Sequence, residues 1–418
     1  MKIFNQAMPL AVAIALGAMS GQAMASGFAI GTQSGSGTGN AYAGGAAAAE
    51  DASTVFYNPA GMTMLRGTSI SAGGSLVKPS LKFQNTASTG ADATGNFGGD
   101  GGSLTPIPFA YLVTEINPKW RFGVGISAPF GLKTDYDAGW DGQYVALKSD
   151  IFTFNINPSL AYQANDKISL GAGINVQHIE ATLSSNVSPL FGGASQTVTA
   201  GDTGWGYNLG AMFHLSPNTR IGAHYRSKID YTLQGSVNFT GFLAAGNGSV
   251  VADLTVPASA SLSVFSAVTP QWDLMADITW TQWSKLQAVS IVFTTGAPLG
   301  SSLLFNWDDT MRYSVGASYK PNQTWKFRVG VAYDETPTNN VDRTPRLPDE
   351  DRKWLALGVQ YAMSKATKLD FGYAHEFIKD ARVSNTNPVT AFGTPAGTLV
   401  GNYSNKVDIL SVQLTHQF

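Results

Sequence analysis

Few residues of this chain have the types and spacing that catalysis or metal binding would need. The five histidines lie far apart, and there is no cysteine, so neither a close metal-ligand set nor a thiolate nucleophile is predicted. The acidic run Asp349-Glu350-Asp351 could bind Ca²⁺ weakly, although a charged loop run is by default solvated. We therefore predict no catalytic residues, no metal site and no cofactor.

Two further patterns could carry chemistry but lack the context that it requires. Gly35-x-Gly37-x-Gly39 has phosphate-loop spacing, yet such a loop needs a preceding strand and a following helix in a βαβ unit. Serines are abundant, but a Ser/His/acid site is defined by geometry that the sequence does not give. An enzyme built on a barrel is therefore kept only as a minor alternative.

The composition points to a membrane β-barrel. Only 13% of the 418 residues are charged and the formal net charge is −2, whereas soluble domains carry roughly 25% charged residues. Hydrophobic residues make up 44%, but 46 glycines dilute them. Strands with an apolar outer face and a polar inner face give this average. Nucleic-acid partners are not expected from so small a charge.

The N-terminus carries an export signal. Lys2 precedes an apolar run from Met8 to Met19, and Ala23-Met24-Ala25 is a small-x-small cleavage site. The run is shorter than the roughly 20 residues that a transmembrane helix needs. We expect residues 1–25 to be removed, leaving Ser26 first, and the protein to pass through the periplasm to a Gram-negative outer membrane.

Residues 67–418 show the period-two alternation of strands, as in Trp325–Asp334, where every second residue is apolar. Short turns are predicted at 117–119, 164–166, 216–218, 269–271, 320–322 and 364–366. Long loops are predicted at 84–105, 130–150, 184–204, 239–252, 296–309, 335–352 and 379–405. Six turns and seven loops join 14 antiparallel strands of a transmembrane β-barrel. Residues 271–295 could form one long strand or a hairpin at Ser284-Lys285; one strand keeps the count even.

The C-terminus and the aromatic residues agree with this barrel. The last strand ends in Phe418, as in the assembly signal that outer-membrane barrels present to the barrel-assembly machinery. Tryptophans near strand ends suit the interfacial girdles. We therefore expect outer-membrane lipid and lipopolysaccharide as surroundings.

Residues 26–66 break the alternation and form what we call the hatch. Asn58 can cap a short helix with Pro59 in its first turn. The segment has little charge and several apolar side chains, so it lacks the signature of disorder. We predict a small helical plug inside the lumen.

These residues resemble the FadL family of outer-membrane transporters for long-chain fatty acids and other hydrophobic compounds. The resemblance covers essentially the whole mature chain. It is carried by Gly27–Ile30, Gln33-Ser34, Gly44, Asp51–Thr54, Phe56–Met62, Asn157–Tyr162, Trp280–Ser284, Arg343–Asp349, Asp351-Arg352 and Trp354-Leu355. The motif Asn58-Pro59-Ala60 is specific in this context.

The resemblance implies a monomeric 14-stranded barrel closed by the hatch. It also implies capture of a hydrophobic molecule among the outer loops, a hatch rearrangement, and lateral release through the wall at a kinked third strand. Gly123, Gly125 and Pro129 are the candidate kink residues, because Gly and Pro weaken strand ladders. Close packing against the plug would explain the two glycines equally well.

The substrate is less defined than the route. Phe28, Ile30 and Phe56 are the apolar candidates for ligand contact. The family's carboxylate-binding bases would fall in two stretches, yet no Lys or Arg lies between His178 and Arg220 or between Lys285 and Arg312. Arg312, Lys326 and Arg328 are substitute candidates. Long-chain fatty acids are the first expectation; neutral aromatic hydrocarbons are the alternative, and an open diffusion porin is disfavoured by the plug.

Overall fold

The computed structural model describes residues 26–191, 193–300, 302–386 and 397–418. The predicted signal peptide, residues 1–25, and part of the seventh predicted loop lie outside the described residues.

The described residues form a closed antiparallel β-barrel, which confirms the predicted 14 strands. In chain order the strands are β1 Thr68–Asn85, β2 Thr105–Asn117, β3 Trp120–Ser127 with Gly131–Asp135, β4 Lys148–Gln163, β5 Ile168–Asn186, β6 Ser195–Ser216, β7 Thr219–Arg226 with Ile229–Phe239, β8 Gly248–Val256 with Ser259–Ala267, β9 Trp272–Thr281, β10 Thr310–Tyr319, β11 Trp325–Asp334, β12 Arg352–Ala362, β13 Thr367–Ile378 with Ala381–Thr386, and β14 Gly397–Gln417. β14 closes the barrel by pairing with β1, from Ser69 opposite Gln417 to Asn85 opposite Gly401.

Apolar side chains alternate with polar ones along the strands, and the apolar ones face outward as the sequence predicts. On β11 the side chains of Trp325, Val329 and Tyr333 are exposed on the outer wall, whereas Arg328 and Asp334 are buried in the lumen. An apolar outer wall suits lipid, and the inward polar groups must find partners inside the barrel. None of the helices in the described ranges is long and apolar enough to cross a membrane.

The prediction of one long strand at 271–295 is wrong. β9 ends at Thr281, and the chain turns inward through a 3₁₀ turn at Trp283–Lys285. Trp283 is fully buried, so its burial at the lumen mouth draws the chain out of the wall. The following loop runs to β10 and contains the short paired segments Ala288–Val289 and Leu303–Leu304.

The remaining short elements lie in the hatch and the outer loops. The hatch contains α1 Gly35–Thr38, α2 Gly45–Ala48, α3 Thr54–Tyr57 and the 3₁₀ helix η1 Pro59–Met64. The loops contain 3₁₀ turns at Ala91–Ala93, Pro189–Phe191 and Gly241–Gly246, and two-residue strands at Thr89–Gly90 and Val292–Phe293. The predicted loop at 184–204 is shorter than expected, because β5 continues to Asn186 and β6 begins at Ser195.

The hatch lies inside the barrel and contacts the wall on several sides. α1 contacts β12, β13 and β14, α2 contacts β7, β8 and β9, and η1 contacts β3 to β6. Glycines in the wall permit this close approach: a Cβ on Gly171 would lie 2.4 Å from the Ala60 nitrogen, and one on Gly330 would lie 2.1 Å from the Asn40 oxygen.

Candidate functional site

The Asn58-Pro59-Ala60 motif fixes the hatch to the wall. The Asn58 side chain accepts a hydrogen bond from the Ala60 N–H (3.0 Å), which caps η1 with Pro59 in its first turn. The same side chain donates to the carbonyl oxygens of Ala46 (2.6 Å) and Ala211 on β6 (3.0 Å). One buried amide therefore joins two parts of the hatch to a barrel strand.

Lys326 and Arg328 also hold the hatch. Both contact the hatch carboxylate of Glu50, at 3.1 and 2.8 Å, and Arg328 contacts Asp370 at 2.6 Å. Burial raises the pKa of Glu50, but the two cations lower it by more, so its pKa lies below the ordinary range. These two candidate ligand contacts are therefore occupied by acids, and neither lines the lumen cavity described below.

β3 is interrupted between Ser127 and Gly131, where Pro129 lies. The hatch supplies partners to the backbone groups that the interruption releases. The Ile30 N–H donates to the Pro129 oxygen (2.7 Å), and the Gly131 N–H donates to the Phe28 oxygen (2.8 Å). The first hatch residues thus replace a missing strand on the inner side of this part of the wall.

The Gln33 side chain completes this replacement. Its amide donates to the Ala128 oxygen (2.7 Å) and accepts from the Ala128 N–H (3.2 Å), as a neighbouring strand would. It also donates to the Ile30 oxygen (3.1 Å). Gln33 was noted in the sequence only as part of a motif, because nothing local shows that its partner lies 95 positions away.

Gly123 and Gly125 lie outside the interruption. Both sit in the regular ladder with β2, opposite Val113 and Tyr111. A Cβ on Gly123 would lie 2.4 Å from the Met62 sulfur, and one on Gly125 would lie 3.0 Å from the Tyr111 ring. The two glycines therefore make room for neighbouring side chains, and of the three candidates only Pro129 is at the break.

A lumen cavity of about 180 Å³ lies between the hatch and β7 to β12 and reaches the interruption of β3. Of the candidate residues, Ile30, Phe56, Arg312 and Pro129 line it. Phe28 lies instead in an apolar cluster beside it, with its ring 4.9 Å from that of Trp283.

The cavity also contains polar residues that the sequence did not single out as ligand contacts, chiefly His224, Arg226 and Asp277. Asp277 accepts hydrogen bonds from the hydroxyls of Ser263 and Thr279. These positions come together from β7 and β9, so only the barrel register could have identified them. Arg312, which was a candidate, donates to the hatch oxygen of Ala41 (2.9 Å).

A second cavity of about 420 Å³ opens among the outer loops. Its apolar lining includes Leu183, Leu303 and Phe305, and its basic residue is Arg346. Arg346 donates to the oxygens of Lys148 (3.2 Å) and Ser149 (3.1 Å). Burial lowers the pKa of Arg346 to about 10, which leaves it charged at neutral pH.

The acidic run in the sixth loop is not a solvated run. Asp349 and Glu350 are buried and pair with Arg352 and Arg343 respectively. Asp349 also accepts a hydrogen bond from the N–H of Gly27 (2.9 Å), at the start of the hatch. The run therefore anchors the hatch, and no group of three or more metal-ligating side chains occurs in the described part of the chain.

Comparison with known proteins agrees with this architecture. The family model for outer membrane protein transport protein (OMPP1/FadL/TodX) matches residues 16–418. The long-chain fatty acid transport protein of Escherichia coli K12 is 28% identical over 87% of this chain and 91% of that protein. Outer membrane protein P1 of Haemophilus influenzae Rd is 30% identical, covering 90% of each chain.

Solved structures show the same fold. The crystal structure of a Pseudomonas aeruginosa FadL homologue superimposes with a TM-score of 0.86 at 28% identity, covering 94% of this chain and 99% of that chain. The Ralstonia pickettii toluene transporter TbuX gives 0.63 at 23% identity, covering 90% and 96%. Together with the family model over nearly the whole chain, these findings show that the protein belongs to the OMPP1/FadL/TodX family of outer-membrane transport proteins.

Proposed function

We propose that this outer-membrane barrel takes up hydrophobic compounds, with long-chain fatty acids as the principal substrate. The observation that carries this proposal is a lumen cavity that adjoins an interrupted wall strand, where the first hatch residues supply the missing backbone partners. A hydrophobic molecule gains little from a water-filled pore, whereas an exit through the wall delivers it to hydrocarbon.

The route begins in the outer-loop cavity, where apolar side chains meet an exposed opening. The molecule then passes to the lumen cavity beside the hatch and leaves at the break in β3. The lumen cavity is only about 180 Å³. Ligand pockets usually measure roughly 300–1,000 Å³, so a long-chain molecule requires the hatch to rearrange.

Neutral aromatic hydrocarbons are the second candidate. The two stretches without Lys or Arg favour them, and toluene transporters occur among the proteins of the same fold. An open porin is disfavoured because the hatch contacts the wall on several sides. We further propose that the chain has no catalytic role, because the family model that matches it describes transport proteins.

Exposed lysines on the outer wall support lipopolysaccharide as a partner of the barrel. Lys78, Lys353 and Lys406 are exposed on the outer wall of β1, β12 and β14, beyond a band that includes exposed Leu355 and Leu410. Cations at such a boundary attract anionic lipid, which supports contact with lipopolysaccharide. We also propose that the barrel-assembly machinery recognises the C-terminal strand β14. Because β14 closes on β1 of the same chain, we propose that the protein is a monomer.

The test is uptake by cells that lack other hydrophobic-compound porters and express this chain. We expect them to accumulate a labelled long-chain fatty acid, and to exclude a labelled oligosaccharide of similar size. Entry of the sugar at the same rate would contradict the proposal and indicate a diffusion porin.

A further inference from the structure

Arg226 is a buried guanidinium in the lining of the lumen cavity. It ends the first part of β7 and is 7% exposed. It donates to the hatch oxygen of Phe56 (3.0 Å) and to the Asn175 side chain, and its guanidinium carbon lies 4.5 Å from the centre of the Phe56 ring. These neutral contacts fix its position but leave its charge uncompensated.

The three basic side chains that the sequence offers as ligand contacts have acids beside them. Lys326 and Arg328 contact Glu50, and Arg312 lies 3.9 Å from Asp334. A buried cation needs such an acid, or a ligand that replaces it, because burying an unpaired charge is costly.

Arg226 has no such acid. Within the residues that the structure describes, no Asp or Glu oxygen lies within 4.0 Å of its side-chain nitrogens. Among the same described residues Arg220, on the same strand, also lacks an acid, but it donates to the carbonyl oxygens of Ala47 and Ala48 at the end of α2 and does not line the cavity. Arg226 is therefore a cavity cation available to an anion.

The neighbouring groups favour an anion at this point. The buried Nε2 of His224, two residues away and also in the cavity lining, has no hydrogen-bond partner among the described residues. Asp277 is the nearest acid of β9 in the lining. In the strand ladder it lies opposite Ser263 of β8, whereas Arg226 lies opposite Ser259 of the same strand. Four residues of strand separate the two levels by about 13 Å, so Asp277 is well beyond ion-pair distance of Arg226 and does not occupy the position of an anion held there.

We infer that Arg226 binds the carboxylate of a long-chain fatty acid, and that the protein selects the ionised acid over neutral hydrophobes. The first carbons of the tail then contact the apolar lining formed by Ile30, Phe130 and Trp354, and the rest of the tail requires the hatch to rearrange. This inference rests on the proposed uptake of hydrophobic compounds and specifies its substrate. Arg226 would then do the work of the basic residues that the family resemblance predicts in the two stretches without Lys or Arg.

The experiment compares binding of a long-chain fatty acid and of its methyl ester to the detergent-purified protein by calorimetric titration. We expect the wild type to prefer the acid. Arg226→Gln should weaken acid binding about 10- to 100-fold, which is the usual contribution of a hydrogen bond to a charged group, and should leave ester binding unchanged. Arg226→Lys should keep part of the preference, because it keeps the charge.

Lys228→Gln is the matched control. It removes one positive charge two residues from Arg226, and Lys228 is an exposed side chain that pairs with Asp230. It should change neither affinity. Equal affinity of the wild type for acid and ester, or an equal loss of both in Arg226→Gln, would overturn the inference while leaving hydrophobic uptake in place. Failure of the wild type to bind either ligand would contradict the proposed function itself.

Discussion

At the scale of single residues, the sequence predicts which side chains face the lumen but not which of them are free. Arg312, Lys326 and Arg328 all point inward, as alternation requires, yet Lys326 and Arg328 both contact Glu50, which lies 276 and 278 positions away. Arg226, which does have an uncompensated charge, was not a candidate. Pairing depends on contacts between distant segments, and period-two patterns carry no information about those.

The cluster formed by Glu50, Lys326 and Arg328 leads to a prediction about the effect of pH on the hatch. Because the pKa of Glu50 is lowered in the folded protein, its pairing stabilises the docked hatch above the ordinary pKa of 4.5 and is lost as pH falls further below that value. Glu50→Gln should loosen the hatch at neutral pH by about 1.5–3 kcal/mol and remove this acid sensitivity. Hydrogen exchange of residues 26–66 measures both effects.

The control is Asp230→Asn, which breaks an exposed pair on the outer wall and should leave hatch exchange unchanged. Equal protection of the hatch in Glu50→Gln and the wild type would show that the cluster does not hold it.

At the scale of elements, the strands and turns follow from local sequence patterns. The departures from those patterns arise from contacts inside the lumen. The sequence offers Gly123, Gly125 and Pro129 as candidates for the kink in β3, and of these only Pro129, which cannot donate to a ladder, lies at the break. A glycine in a strand marks either a break or a close approach, and the sequence does not distinguish the two. Residues 271–295 continue a strand-like pattern, but burial of Trp283 inside the barrel ends the strand at Thr281.

Close approach of the hatch to the wall gives a second prediction. Gly171→Ala on β5 should push away the Asn58-Pro59-Ala60 motif, because its Cβ would lie 2.5 Å from the Pro59 carbonyl carbon. Overpacking of this kind costs about 1–3 kcal/mol, so hydrogen exchange and proteolysis of the hatch should accelerate while the barrel stays folded. Gly74→Ala, whose Cβ would make an ordinary contact at 3.4 Å, is the control. Identical exchange in the two variants would contradict this account of docking.

At the scale of the whole molecule, the strand count and the inner plug could be predicted because closure in lipid allows few solutions. The two cavities could not, since their linings combine the hatch with many strands and several loops. Their positions, one among the outer loops and one at the break in β3, define the proposed route.

The most direct test of that route is a reversible lock in this cysteine-free chain. Ala29 and Phe130 are antiparallel partners between the hatch and the interruption of β3, and such pairs have Cα separations of about 4.5–5.5 Å, within the range of a disulfide. Uptake of a labelled long-chain fatty acid should stop in the oxidised Ala29→Cys/Phe130→Cys variant and recover on reduction, and the reduced double variant is the reference for activity because Phe130 also lines the lumen cavity. Undiminished uptake in the fully cross-linked protein would contradict passage between the hatch and β3.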